Sequence, residues 1–179
     1  MSGPNPDQIT VSFWFKSIDA SVSPLKRMLF GYTYNGFNGV KLRLDSVASG
    51  GHKLRSYFSK SSSNSSLVEV SYDFDFQGDQ WYHVAMTLDK VAGTSKTYIN
   101  GVKVSELTGV ESTARWTQTS SSKPFVLGSW RTTNDNNASS QEFDFDSFQI
   151  TEGFALTDSQ IASIYNDGSN REVVITSDM

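Results

Sequence analysis

Residues 81–89, Trp-Tyr-His-Val-Ala-Met-Thr-Leu-Asp, decide the fold class of this chain. The even-numbered positions from 82 to 88 carry Tyr, Val, Met and Leu, and Ala85, Thr87 and Asp89 alternate with them. Because neighbouring side chains of an extended chain point to opposite sides, this alternation is typical of a β-strand with one buried face. The stretch therefore predicts a strand that packs one side against a hydrophobic core.

Residues 97–104, Thr-Tyr-Ile-Asn-Gly-Val-Lys-Val, predict a hairpin that follows this strand. The pair Asn100-Gly101 favours a two-residue type I′ turn, since both residues tolerate the positive φ that this turn needs. Such a turn sets three pairs of residues opposite each other, and the first and third pairs are expected to share a face. The pairs are Ile99 with Val102, Tyr98 with Lys103, and Thr97 with Val104.

Length and composition limit the classes of protein to consider. The 179 residues, among them twelve Phe, seven Tyr and four Trp, predict a single domain over residues 1–179 with a substantial core. The formal net charge of −4 comes without a basic cluster, so we expect no nucleic-acid partner. The absence of cysteine excludes disulfides and thiolate catalysis. No stretch is apolar enough for membrane insertion, and residues 1–8 do not have the pattern of an export signal.

Other apolar or alternating segments predict the remaining strands, about ten to twelve in all. Near Ser147 the apolar phase slips by one residue, which indicates a β-bulge. The main predicted segments are residues 9–16, 28–34, 40–44, 54–58, 68–76, 125–130, 143–150 and 172–176. Many short strands separated by turn residues predict an all-β fold, a two-sheet antiparallel β-sandwich or jelly roll.

One short C-terminal helix completes the prediction. Thr157 and Gln160 have the spacing of a capping box, in which each side chain satisfies a backbone N–H of the other residue. Ile161, Ile164 and Tyr165 then form one apolar stripe, and Asp167-Gly168 is expected to end the helix.

Several segments together resemble the laminin-G-like, concanavalin-A-like jelly rolls, a group related to the pentraxins. Each motif is weak alone, but the five occur in the family's order and the resemblance spans about residues 10–168. They are Thr-Val-Ser-Phe-Trp-Phe-Lys (10–16), Trp-Tyr-His-Val-Ala (81–85), Tyr-Ile-Asn-Gly (98–101), Leu-Gly (127–128) and the run from Phe145 to Tyr165. The resemblance implies a two-sheet sandwich with a curved binding face, and a place among adhesins, matrix proteins or phage and viral exterior proteins.

The sequence favours a protein without catalytic activity. The laminarinase-type glycosidases of the superfamily carry three acids on one strand, and Glu142-Phe143-Asp144 begins such a motif. The third acid is missing, because positions 147 and 148 are Ser and Phe. The two histidines, His52 and His83, form neither a catalytic triad nor a metal cluster in the sequence.

A single calcium ion is the one cofactor that we consider. Asp135, Asn137 and Asp144 offer the hard oxygen ligands that calcium prefers. The laminin-G family often holds one calcium at a loop rim, whereas the double-calcium site of pentraxins does not carry over to the Ser129-Trp130-Arg131-Thr132 segment. The alternative is that these Asn and Asp residues are ordinary turn formers.

Loop aromatics with neighbouring arginines are the candidates for ligand binding. Aromatic rings stack on sugars, and arginine donates hydrogen bonds to hydroxyl or carboxylate groups. The candidate residues are Arg115, Trp116, Trp130, Arg131, Asn134 and Asn136. The alternative for the two tryptophans is structural, since they could close the ends of the sandwich.

We therefore expect a recognition module that binds a glycan or glycoprotein at an extracellular or virion surface, such as a phage or virus tail adhesion component. It could form a homo-oligomer or be attached to a larger assembly. The alternative is a structural decoration or assembly protein with no sugar ligand. An apolar outer patch around Tyr98 and Tyr57 would favour that alternative.

Overall fold

The computed structural model describes residues 6–17, 26–32, 40–46, 52–59, 67–114, 125–130, 139–140 and 143–166. These residues form twelve strands and one helix. In chain order they are β1 (Gln8–Ser17), β2 (Lys26–Tyr32), β3 (Lys41–Ser46), β4 (His52–Ser59), β5 (Leu67–Phe74), β6 (Trp81–Asp89), β7 (Thr94–Ile99), β8 (Val102–Thr108), β9 (Phe125–Leu127), β10 (Ser129–Trp130), β11 (Ser139–Ser140), β12 (Phe143–Glu152) and α1 (Asp158–Tyr165). The predicted strand at 172–176 lies outside the described residues.

Two five-stranded antiparallel sheets form the sandwich. The first sheet has the order β12-β1-β6-β7-β8 and the second has the order β5-β4-β3-β2-β9, while β10 and β11 form a separate two-stranded pair. The predicted all-β, two-sheet jelly roll is therefore confirmed. Residues that alternate along the strands of both sheets meet in one core.

Phe13 lies at the centre of this core. Its ring contacts that of Phe30 from the second sheet at 5.7 Å between centroids, nearly edge-on at 85°. It also contacts Phe145 and Phe148 from β12 at 5.8 and 5.6 Å. Edge-on and tilted ring pairs of this kind add to the free energy of burying the apolar surface. Phe13 thus joins three strands across the interior.

The hairpin after β6 forms as predicted at its turn and differs further away. Asn100 and Gly101 have φ values of 49° and 75°, and Ile99 faces Val102 while Tyr98 faces Lys103. A register shift between residues 97 and 98 then sets Thr97 opposite Ser105, so the predicted Thr97–Val104 pair is wrong. Val102 is also 65% exposed, because β8 is the edge of the sheet.

The bulge near Ser147 is confirmed. Ser12 faces Gln149 and Trp14 faces Asp146, so β12 has one residue more than β1 between these pairs. Ser147 takes up the extra length with a φ of 51°. The bulge allows both Phe145 and Phe148 to reach the core in spite of their odd spacing.

Helix α1 begins as predicted. Thr157 accepts a hydrogen bond from the Gln160 backbone, and the Gln160 side chain accepts one from the Thr157 N–H, which completes the capping box. Asn166, in the left-handed conformation at φ 38°, caps the other end. The predicted stop at Asp167-Gly168 lies outside the described residues. Within the part of the chain that the structure describes, no helix has the length and apolar character to cross a membrane.

Strand β6 is buried on both faces, and the prediction of a single buried face is therefore wrong. His83, Ala85 and Thr87, which point away from the second sheet, are at most 2% exposed. The reason is that α1 lies on this outer face of the first sheet, where Ile161 packs against Ala85 and Tyr98. This packing also creates a surface cleft.

Candidate functional site

A cleft of about 530 Å³ lies on the outer face of the first sheet, between the β6–β7 hairpin and the start of α1. Two segments that are about 60 residues apart in the sequence form its walls. The lining residues are Thr87, Asp89, Ala92, Thr94 and Lys96 from the hairpin, and Ala155, Leu156, Thr157, Asp158 and Ser159 from the helix start.

Strand β1 holds the helix-side wall in place. The Thr10 hydroxyl donates to the Phe154 carbonyl and accepts from the Leu156 N–H, both at 2.9 Å. The Gly153 N–H donates to the Gln8 carbonyl at 2.8 Å. Three hydrogen bonds in four residues fix the path of the segment that leads into α1.

Asp89 holds the hairpin-side wall. Its carboxylate accepts from the backbone N–H groups of Val91 and Ala92 at 2.9 and 2.8 Å, and from the Gln8 side chain at 2.8 Å. An aspartate that bonds the backbone two and three residues ahead stabilises a tight turn. Asp89 is therefore occupied in shaping the cleft.

Asp158 connects the helix start to the sheet. Its carboxylate accepts from the Tyr98 hydroxyl at 2.8 Å and pairs with Lys96 and Lys103, each at 3.3 Å. The hydrogen bond from Tyr98, followed by the bonds from the two lysines, holds the pKa of the Asp158 carboxyl below its usual range. Burial and this same bond raise the pKa of Tyr98. Asp158 thus stays ionised and keeps α1 attached to β7 and β8.

The cleft combines polar groups with small apolar surfaces. Its lining includes the hydroxyl residues Thr94 and Ser159 and the cationic residue Lys96, together with Ala92 and Ala155. Asp89 and Asp158 are the two carboxylates among the described lining residues, and both are engaged in the contacts above. A lining of this kind suits binding better than acid–base chemistry, which needs a carboxyl group free to exchange a proton.

A second polar surface lies on the outer face of the second sheet. Asp45 on β3 pairs with Arg43 at 2.6 Å and with Arg55 on β4 at 2.8 Å, and Arg55 also pairs with Glu69 on β5. These residues form a charge network in which Asp45 is only 4% exposed.

Lys41 and Tyr57 extend this network. The Lys41 ammonium lies 4.4 Å from the centre of the Tyr57 ring, a cation–π contact between directly opposed residues. Burial lowers the pKa of Lys41 to about 7 and raises the pKa of Tyr57 to about 12. Since the Lys41 and Tyr57 side chains are buried, we assign these two residues a structural role.

The predicted ligand residues lie mostly outside the described residues. Trp130 is part of β10 and faces Ser139 on β11, but its side chain is not among those described. The predicted candidates outside the described ranges are Arg115, Trp116, Arg131, Asn134, Asp135, Asn136 and Asn137. These residues stay predictions, and the cleft is a site that their sequence pattern did not indicate.

Asp144 is the predicted calcium ligand that the structure describes. One oxygen of its carboxylate pairs with Lys16 on β1 at 2.9 Å, and the side chain is 48% exposed. Among the described residues no group of three or more His, Asp or Glu side chains is placed to hold a metal ion. This part of the chain therefore adds no support for calcium.

Tyr98 and Tyr57 do not form an apolar outer patch. They are 0% and 5% exposed, because α1 covers the first and the charge network surrounds the second. The surface feature that would favour an assembly role is therefore missing at these two positions.

Comparison with solved structures shows which proteins share this architecture. The heptameric SAP-like pentraxin from Limulus polyphemus is 20% identical with a TM-score of 0.65, over 94% of this chain and 74% of that one. The binding domain of botulinum neurotoxin serotype G is 16% identical with a TM-score of 0.61, over 92% of this chain but only 37% of that one. At these identities the likeness establishes the fold.

Domain 4 of AbnA, a GH43 extracellular arabinanase from Geobacillus stearothermophilus solved with arabinotriose, is 25% identical with a TM-score of 0.54. The match covers 90% of this chain and 68% of that one. A search of curated protein sequences finds no match. The sequence model of the concanavalin A-like lectin/glucanases superfamily, in its laminin-G form, matches residues 3–162. With this match over most of its length and the jelly-roll fold described above, the chain belongs to the concanavalin A-like lectin/glucanase superfamily.

Proposed function

We propose that this chain is a non-catalytic recognition module that binds a glycan or glycoprotein at an exterior surface. The observation that carries the proposal is the cleft between the β6–β7 hairpin and the start of α1, with its mixture of hydroxyl, ammonium and methyl groups. Virion or tail adhesion is the setting that we propose for it.

The chemistry of the cleft suits a sugar. Sugar rings present hydroxyl groups at their edges and C–H groups on their faces, so they need hydrogen-bonding groups beside apolar surface. Thr94, Lys96 and Ser159 supply the first, and Ala92 and Ala155 supply the second.

An exposed aromatic ring lies next to the cleft in the chain. Phe154, one residue before the lining begins, is 65% exposed, and its backbone carbonyl is fixed by Thr10. Aromatic rings offer an apolar face on which a sugar can stack. A ring held on an anchored backbone could extend the binding surface beyond the cleft.

The relatives support the binding role. A domain of an arabinanase holds an arabinotriose, and other neighbours are the binding domains of neurotoxins. In the described cleft both carboxylates are engaged in structural contacts, which favours binding over glycoside hydrolysis.

The loop residues remain a second proposed contact. Arg115, Trp116, Trp130 and Arg131 would add stacking and charged hydrogen bonds, and Asn134 and Asn136 would add amide contacts. A calcium ion held by Asp135, Asn137 and Asp144 is proposed with them, on the basis of the oxygen ligands alone.

A glycan array tests the proposal, run once with calcium and once with chelator. Ala92→Trp places a large side chain in the cleft without removing a side-chain hydrogen bond, and Val91→Trp is the matched control at a 78% exposed neighbouring position. We expect Ala92→Trp to lose binding and Val91→Trp to keep it. Loss of binding on Trp130→Ala with Ala92→Trp unaffected would move the site to the loops. Loss of binding with chelator would support calcium.

A structural or assembly role is the second candidate. It is favoured by three strongly exposed apolar side chains, Val91, Val102 and Phe154. A monomer that binds no glycan but associates with a virion or a cell-surface assembly would support this role.

A further inference from the structure

Three buried polar atoms without hydrogen bonds lie beneath helix α1. They are the indole nitrogen Nε1 of Trp14 and both ring nitrogens of His83, and none has a partner among the described residues. Trp14 is 3% exposed and His83 is 1% exposed, so water does not reach these groups freely. A polar group that is buried without a partner has lost its hydrogen bonds to water, which destabilises the closed arrangement.

The last turn of α1 closes over these atoms. Trp14 and His83 are directly opposed on β1 and β6, with ring centroids 5.4 Å apart. Tyr165 stacks on Trp14 at 5.6 Å and contacts His83 at 6.1 Å. Gly101 leaves room for Tyr165, because a Cβ at that position would lie 2.9 Å from its ring.

Apart from Tyr165, α1 is attached to the sheet through Ile161 and Asp158. Ile161 is its one fully buried residue, and Asp158 supplies the polar contacts to Tyr98, Lys96 and Lys103 at the other end. If α1 left the sheet, the three unpartnered atoms would gain hydrogen bonds to water. The unpartnered atoms beneath α1 therefore oppose the contacts that hold the helix on the sheet.

The charged groups on the elements around His83 are occupied elsewhere. Lys16 on β1 pairs with Asp144 on β12 at 2.9 Å, and Asp146 on β12 accepts from Ser147 at 3.1 Å. Lys103 on β8 and Asp158 on α1 pair with each other at 3.3 Å. Tyr165 on α1 is the titratable residue in ring contact with His83. No carboxylate among these is in ion-pair contact with a charged His83.

We propose that α1 is an acid-released cover: protonation of His83 drives Tyr165 and the helix off the sheet, and the cleft opens and releases its ligand. The second half rests on the proposed function, since Thr157, Asp158 and Ser159 form one wall of the cleft. The helix would thus join a pH-sensing end to a ligand-binding end.

The direction of the pH effect follows from the burial of His83. Burial lowers its pKa to about 4 from the ordinary value of 6.5. The released state would bind the proton first, so docking is strongest above pH 6.5 and weakens as the pH falls toward 4. At pH 5.0 these two values correspond to an increase of about 30-fold in the ratio of released to docked helix.

An NMR titration of the Ile161 methyl groups from pH 7.5 to 4.0 tests the cover directly, without any ligand. We expect the docked signal to fade between pH 6.5 and 4 in the wild type and in His52→Phe, a control on the second sheet. His83→Phe keeps a ring but cannot be protonated, and it should stay docked over the whole range. Equal release in wild type and His83→Phe would overturn the proposal, as would a pH dependence that disappears only in Asp158→Asn.

The same glycan array run at pH 7.5 and pH 5.0 tests the ligand half. Wild-type binding that is lost at pH 5.0, with His83→Phe binding at both values, supports release through the helix. Equal binding of the wild type at both values overturns ligand release. An array that is blank at both values counts against the proposed function, and the NMR titration still decides whether α1 is a cover.

Discussion

Gly31→Ala is expected to destabilise the protein strongly, because β2 passes very close to β3 at this residue. Gly31 has a φ of +140° and faces Lys41 on the neighbouring strand. A Cβ at position 31 would lie 2.4 Å from the Cβ of Lys41 and 2.6 Å from its Cα. Since one of these atoms is backbone, a change of side-chain rotamer cannot relieve the contact.

The expected cost has two parts. The positive φ disfavours any residue with a Cβ, by about 1–3 kcal/mol. Forcing an extra atom into a packed interior adds about 1–3 kcal/mol more. Gly153 is a matched control, because it has a φ of +87° and a Cβ there would meet no atom within 4 Å. Gly153→Ala should therefore show the conformational cost without the contact.

Urea unfolding of the two variants measures the difference. We expect Gly31→Ala to lower the free energy of unfolding by at least about 1 kcal/mol more than Gly153→Ala, with the slope against urea unchanged. Because both variants gain the same reduction in unfolded-state entropy, the comparison isolates the contact. Equal losses would refute the reasoning and show that β2 and β3 can separate at little cost.

Three further predictions concern the core and the helix attachment. Phe13→Ala should cost about 3–5 kcal/mol in urea unfolding, and Phe154→Ala at an exposed position should change stability by less than about 0.5 kcal/mol. Tyr98→Phe should cost about 1 kcal/mol at pH 7, because its hydrogen bond goes to the half-exposed Asp158 carboxylate; no measurable change would contradict this role. The pKa of Asp158 is lowered in the folded state. The ionised carboxylate therefore stabilises the fold at pH values above the usual carboxyl pKa, and this stabilisation is lost as the pH falls and the carboxylate is protonated. Asp158→Asn should therefore show a smaller loss of stability between pH 7 and pH 3 than the wild type.

The features that the sequence predicts well depend on local chemistry. Asn100-Gly101 gives its turn because the two residues themselves favour positive φ. Thr157 and Gln160 form the capping box because each satisfies the backbone of the other. The bulge at Ser147 is visible because the apolar phase of β12 must change if both of its flanking phenylalanines are to reach the core.

The features that the sequence does not show depend on contacts between distant segments. The second face of β6 is buried because Ile161 packs on Ala85, 76 residues earlier in the chain, and Tyr165 contacts His83. The cleft has the same origin, since one wall is the β6–β7 hairpin and the other is the start of α1, and its lining residues do not form a recognisable binding motif in the sequence. A single sequence supplies no signal that links these two segments, whereas loop aromatics and Asn-rich loops are conspicuous in it.

The buried polar groups on the two outer faces of the sandwich differ in whether they have partners. On the second sheet Asp45 pairs with Arg43 and Arg55, so burial is matched by opposite charge, and removing either partner would leave an uncompensated ion. On the first sheet Trp14 and His83 are buried without hydrogen-bond partners among the described residues, and uncovering them would gain hydrogen bonds to water. The paired charges on the second sheet therefore oppose exposure of that face, whereas the unpartnered groups on the first sheet favour release of α1. Because the cleft lies on the outer face of the first sheet, any ligand that bridges its two walls would also oppose release of α1, and binding should therefore be measurable as a stabilisation of helix docking.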